Sequence, residues 1–330
     1  MLNTLFSSSA ALAMVFALIG AVLAPIVTWV LLKTLRTHLP QDMGRAFAVN
    51  GEKSIGKARG AGLIFISVYV VLAAVFLNFT LENMLYLLAI LASMLTGYFD
   101  DASEKPWGRL LKGILDLVIA AVVAVTFVHC NGSTVSLLFF DVTFTLPKAV
   151  FAVLAILLIF VSINVVNCTD GVDGLCGFLA LISLSSFLIL SHYLSIGIYA
   201  ADIFLFMLVL VPYLWYNASP STMLMGDAGS RAIGLYLALT TLRSGRPTLF
   251  LLFCAVFFCD GGIGLVKILL IKLFRRPVLK GIRTPLHDHA RKIAGWKDGQ
   301  TVFRFLLIQT LISVLTILLA FTCLLARTFL

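Results

Sequence analysis

The amino-acid sequence predicts an all-α polytopic membrane protein with about ten transmembrane helices, the ninth of them broken, and a small external β-hairpin. Three observations carry this. Of 330 residues, 61% are hydrophobic and only 12% charged, whereas a soluble domain carries roughly twice that charged share. Apolar runs of about 18 residues or more recur along the chain, each long enough to cross roughly 30 Å of hydrocarbon as a helix. The basic residues gather in alternate loops, which is how cytoplasmic loops are marked.

The ten spans fall at about 10–33, 61–79, 83–99, 110–129, 148–166, 175–192, 197–216, 230–243, 247–272 and 302–326. Lipid offers the backbone no hydrogen bonds, so each is read as a helix. The first is not a cleavable signal: it lacks a basic start and runs into Lys33 and Arg36. The eighth is short, and Asp260-Gly261-Gly262 is expected to break the ninth. Between the fourth and fifth, Thr134–Leu146 mixes β-branched and aromatic residues, which suggests the hairpin; an irregular loop on the membrane surface is the other reading. No internal repeat is visible, so a transporter built from two related halves is disfavoured. The chain reads as one membrane domain, 1–330.

With both termini outside, the odd-numbered loops and adjoining helix ends hold Lys33, Arg36, Arg45, Lys53, Lys57, Arg59, Lys105, Arg109, Lys112 and Arg231. The last of them adds Lys267, Lys272, Arg275, Arg276, Lys280, Arg283, Arg291, Lys292, Lys297 and Arg304. That side is cytoplasmic. Arg243 and Arg246 are the main exceptions. Because the net charge of +9 sits beside spans, it speaks for anionic membrane lipid and topology, not for nucleic acid. The six cysteines show no paired metal spacing and read as small hydrophobes.

Four polar motifs fall on the cytoplasmic side, and all are acidic or carry histidine, against the basic trend of those loops. Asp100-Asp101 closes the third span. Adjacent carboxylates repel in a low-dielectric mouth unless a cation is near, which suggests Mg²⁺ or phosphate chemistry. Asn164, Asn167, Asp170, Gly171 and Asp173 follow within ten residues at the end of the fifth span. Asparagines in a membrane helix are also explained as interhelical glue; two with two aspartates favour a binding site. Gly226-Asp227-Ala228-Gly229-Ser230 opens the eighth span, where helix-start amides favour anions and Asp227 is a natural Mg²⁺ ligand. Asn217 lies shortly before it. His287, Asp288 and His289 lie in the most basic loop, suited to diphosphate contact or acid–base work. The active-site loops are thus about 34–60, 100–109, 167–174, 217–230 and 273–301.

In this order, Asp100-Asp101, the Asn-x-x-Asn-x-x-Asp-Gly-x-Asp-Gly-Leu run, Gly-Asp-x-Gly-Ser and Pro285-Leu286-His287-Asp288-His289 with Gly295-Trp296 resemble the polyprenyl-phosphate hexosamine-1-phosphate transferases. The His loop and Ser54–Leu63 are most similar to the branch that uses UDP-MurNAc-pentapeptide. The resemblance covers about residues 40–300. It implies a Mg²⁺-dependent dimer in the bacterial plasma membrane that binds UDP-MurNAc-pentapeptide and undecaprenyl phosphate. It implies Asp227 as metal ligand, Asp100 and Asp101 on acceptor phosphate or metal, and Asn217, Asp170 and Asp173 on the nucleotide side. His287 and His289 would face the diphosphate or uridine, and Lys112 stands where a family lysine is expected. Asp288 replaces the central histidine of the family's triple, and Lys57-Ala58-Arg59 replaces its Thr-Pro-Thr, so Lys53 or Lys57 is expected to supply the basic contact there. Two other functions fit parts of the pattern. A relative using UDP-GlcNAc would share the acidic motifs, and a cation-coupled transporter is motivated by Asp116, Asp260 and Lys267.

Overall fold

The computed structural model describes residues 10–44, 51–77, 80–140, 142–193, 200–275, 279 and 281–328. Arg45, Arg276 and Lys280 lie outside the described residues, as does the side chain of Lys53. Among the described residues, twelve α-helices follow in order: α1 Ala10–Leu35, α2 Gly62–Phe76, α3 Leu81–Ala102, α4 Arg109–Asn131, α5 Lys148–Thr169, α6 Leu175–Tyr193, α7 Ala200–Asn217, α8 Gly226–Arg243, α9 Phe250–Phe253, α10 Ala255–Phe274, α11 Leu286–Lys292 and α12 Asp298–Thr328. The described residues also form four short strands: β1 Ala58–Arg59, β2 Thr134–Leu137, β3 Val142–Thr145 and β4 Met223–Leu224. β2 and β3 pair antiparallel as a hairpin, Thr134 opposite Thr145, and β1 pairs parallel with β4.

The chain is a multi-pass membrane protein. Seven described helices are long and apolar enough to cross a bilayer, and an eighth if α9 and α10 form one bent span. The remaining two expected spans are α2 and α8. α2 has 15 residues, about 22 Å at 1.5 Å per residue. α8 is buried from Gly226 to Leu242 and packs chiefly on α5 and α3. A helix enclosed by protein is spared contact with lipid, which is why it carries Ser230, Arg231, Thr240 and Thr241. It fits its neighbours because glycines remove side chains at the crossings. A Cβ on Gly62 would come within 2.1 Å of the Gly229 nitrogen, and one on Gly234 within 2.7 Å of Ile163 Cα.

The break in the ninth span corrects the expectation. α10 runs unbroken through Asp260-Gly261-Gly262, and the chain turns by 93° at Cys254 instead. Gly261 serves packing, since a Cβ there would stand 2.6 Å from the Val165 carbonyl oxygen. The backbone groups freed by the turn are satisfied from α12. Gln309 Oε1 accepts from the Val256 N–H at 3.0 Å, and Gln309 Nε2 donates to the Leu252 carbonyl at 3.0 Å. A broken helix at membrane depth requires that kind of internal partner.

Candidate active site

The polar motifs converge at one end of the bundle, where α3, α5 and α7 finish and α4, α6 and α8 begin. Gly97 sets the first contact. A Cβ there would lie 2.4 Å from the Asp227 carbonyl, so α3 rides directly on the start of α8. Gly226 is the second requirement: its φ is +69°, and a Cβ would stand 2.1 Å from Asp101 Oδ2. As a result Asp100, Asp101 and Asp227 each offer a carboxylate oxygen within 4.8 Å of one another. Asp227 sits at a helix start, where the dipole favours an anion, while Asp100 and Asp101 sit at a helix end, where it opposes one. Crowding and dipole both work against two of the three charges.

Local donors and two cations offset that cost. Asp100 accepts from the Trp107 N–H at 2.7 Å and Asp101 from the Ala228 N–H at 3.3 Å. Lys112 Nζ pairs with Asp100 and lies 3.4 Å from Asp227 Oδ2. Arg59 reaches Asp101 at 2.7 Å, Asp42 at 2.9 Å and Asp227 at 3.6 Å. Burial works against the Arg59 charge, but the carboxylates of Asp101, Asp227 and Asp42 outweigh it and hold its pKa above the ordinary value. An all-oxygen, partly buried donor set of this kind suits a hard divalent cation.

A second cluster adjoins the first through the β1–β4 pairing, which sets Ala58 beside Met223 and Arg59 beside Leu224. Two residues before Arg59, Lys57 donates to Ser221 Oγ at 2.9 Å and lies 3.5 Å from Asp173. Asp173 in turn accepts from the Ser221 N–H at 2.9 Å. Buried Asn217 joins the loop before α6 to β4, accepting from the Gly174 N–H and donating to the Met223 carbonyl, each at 2.9 Å. Asp170 caps the end of α5. Asn167 donates to Ser230 Oγ at 2.9 Å, tying α5 to α8. Asn164 donates to the Phe160 carbonyl one turn back in its own helix.

The third cluster is the His loop on α11. Asp260 accepts from the His287 N–H at 2.7 Å and faces its Nδ1 at 2.8 Å. The other ring nitrogen, Nε2, points at Gly171, where a Cβ would come within 2.4 Å of it. His289 Nδ1 accepts from the Arg283 N–H at 3.2 Å, which leaves Nε2 as its protonated nitrogen. Asp288 pairs with Arg291 at 2.7 Å, and Arg291 also donates to the Gly171 carbonyl at 3.2 Å. The Asp288 carboxylate therefore joins a latch between α11 and the 170–173 loop.

The glycosyl transferase family 4 model matches residues 83–245. Curated phospho-N-acetylmuramoyl-pentapeptide-transferases from two strains of Treponema pallidum are 36% identical over 309 residues, covering 87% of this chain and 84% of theirs. One from Flavobacterium johnsoniae is 29% identical over 140 residues, 39% of this chain and 34% of its own. The chain belongs to the phospho-N-acetylmuramoyl-pentapeptide-transferase family.

In this family member the model match spans the triad, Lys112, the asparagines, Asp170, Asp173 and Asn217, while Lys57, Arg59 and the His loop lie outside it and join the same end of the bundle. Sequence reasoning missed four contributors. Arg59 joins the triad's carboxylates, yet in the sequence it sits in a run of basic residues that topology alone explains. Asp42 gave no signal. Asp260 stood out only as an acid within a span, and Arg291 only as part of a basic loop.

Proposed function

We propose that the protein transfers phospho-MurNAc-pentapeptide from UDP-MurNAc-pentapeptide to undecaprenyl phosphate, releasing UMP and forming lipid I for peptidoglycan synthesis. One observation carries the reading. In a chain 36% identical to such transferases, three carboxylates from two distant segments meet within 4.8 Å at the end of the bundle that also gathers the His loop.

In the reaction an oxygen of the lipid phosphate attacks the donor β-phosphorus. The bond from that phosphorus to the bridging oxygen breaks, and UMP departs with the electron pair. A lipid phosphate is already largely ionised at neutral pH, so Asp100 is assigned to position it and not to deprotonate it. Asp227, with Asp100 and Asp101, would hold Mg²⁺, whose chemistry is charge neutralisation on the diphosphate and leaving group. Lys112 and Arg59 bring fixed positive charge to the same place, and positioning with charge stabilisation supplies most of the rate in such transfers. Asp170, Asp173, Asn217 and Lys57 are assigned to the nucleotide side. Asp260 holds the His287 ring so that Nε2 faces the 170–173 loop, and His287 with His289 is assigned to the diphosphate or uridine.

The same reading takes α2 and α8 as spans, for ten in all, and sets the site in the cytoplasm with both termini outside. The distribution of basic residues supports this, and Arg243, one of its two main exceptions, is paired with Asp202 at 2.9 Å. The family resemblance supports a homodimer. The test is to incubate purified protein with undecaprenyl phosphate, Mg²⁺ and each UDP-sugar while following UMP. Release with UDP-MurNAc-pentapeptide and not with UDP-GlcNAc is expected; the reverse pattern would move the protein to the GlcNAc-using relatives.

A further inference from the structure

Behind the triad lies a second ionic contact that repeats the first one turn further along the same two helices. On α4, Lys112 is followed four residues later by Asp116; on α8, Asp227 is followed four residues later by Arg231. Residues so spaced share a helix face, and both helices start at the site end. Lys112 reaches Asp227 at 3.4 Å. Arg231 Nε and Nη2 reach Asp116 Oδ1 at 3.2 and 2.5 Å. The two rungs have opposite polarity, so every charge has opposite charges both across the gap and along its own helix.

The deeper rung is well buried, Asp116 being 3% and Arg231 2% exposed. Apart from the rungs, α4 and α8 touch sparingly, whereas α8 packs at length on α3 and α5. α4 is held mainly by its packing on α5 and α3, so the two rungs are its chief direct contact with α8. A charge pair in a poorly screened interior is steep in distance, and a guanidinium meeting a carboxylate with two nitrogens adds direction.

Building on the transferase reading, we infer that Asp116 and Arg231 are positioning residues: their pairing sets the register of α4 against α8 and thereby places Lys112 relative to the triad. This gives the buried acid of α4 a use that requires no ion pathway.

The test is the double variant Asp116→Leu with Arg231→Met, because removing both charges strands neither. Thermal unfolding in detergent, kcat and KM for UMP release are measured beside the wild type. The expected result is an unfolding temperature at or above that of the wild type, a donor KM within about twofold, and a kcat at least about tenfold lower, the scale of a small misplacement of a catalytic group. Wild-type kcat in the folded double variant overturns the inference, and so does an activity loss that only tracks lost folded protein. If the double variant does not fold, Asp116→Glu decides. It keeps both charges but lengthens the acid, so kcat should fall several-fold at unchanged unfolding temperature, and an unchanged kcat overturns the inference. A wild type that releases no UMP from any donor counts against the transferase reading instead.

Discussion

The two ends of the bundle both bury charge, but they treat it differently. At the end opposite the site, Asp202 accepts from Tyr69 Oη at 2.6 Å and pairs with Arg243 at 2.9 Å. Arg243 also donates to Asn83 and lies 4.8 Å over the Tyr86 ring. Glu82 accepts from Tyr86 Oη and from Asn131. Each acid there meets donors, not other acids. At the site end, three carboxylates crowd one another, two of them on the unfavourable end of a helix dipole. Among the described residues no other three acids or histidines come so close. A closed network holds helices together, whereas a crowded one has been kept against its own cost, which is the mark of a site arranged for a ligand.

That contrast can be broken by exchanging what each end loses. Asp101→Asn should cut UMP release by about a thousandfold, as loss of a preorganised electrostatic group does. Its thermal unfolding should change little, because the lost pair with Arg59 is offset by the repelling charge that is gone, and Arg59 keeps Asp42 and Asp227. Arg243→Met should do the reverse. It strands the Asp202 carboxylate, at a cost of about 3–5 kcal/mol for breaking a buried pair, while kcat per folded molecule stays unchanged. A kinetic defect there, with stability intact, would erase the distinction between the ends.

Gln309→Leu sharpens the picture at an intermediate scale. It leaves the Val256 N–H at the bend without its partner and takes one donor from the Leu252 carbonyl, so unfolding in detergent should show a loss of about 1–3 kcal/mol. Smallest of all, Tyr86→Phe removes one hydrogen bond to Glu82 and should cost about 1 kcal/mol with no effect on turnover.

Much of this was legible in the sequence, for physical reasons. Long apolar runs can do little else but span, and Asp100, Asp101 and Asp227 stood out because acids at the mouths of basic-sided spans need a cation. What stayed hidden depended on contacts between distant residues. Asp260-Gly261-Gly262 has the composition of a break, yet its glycines serve close packing; the true turn at Cys254 has no glycine or proline at it and relies on Gln309, far along the chain. Among the basic residues before α2, only the pairing of β1 with β4 decides that Arg59 faces the triad while Lys57 faces Asp173. Asp288 looked like a damaged histidine motif, and the structure gives it a partner in Arg291.

The most direct test of the account is UMP release from UDP-MurNAc-pentapeptide and undecaprenyl phosphate as Mg²⁺ is titrated, in the wild type and in Asp227→Asn. Turnover by the wild type should rise and saturate with Mg²⁺, and the folded variant should stay at least about a thousandfold below it at every concentration. An Asp227→Asn protein that turns over within tenfold of the wild type, with the same Mg²⁺ dependence, would contradict the claim that these carboxylates meet in order to act.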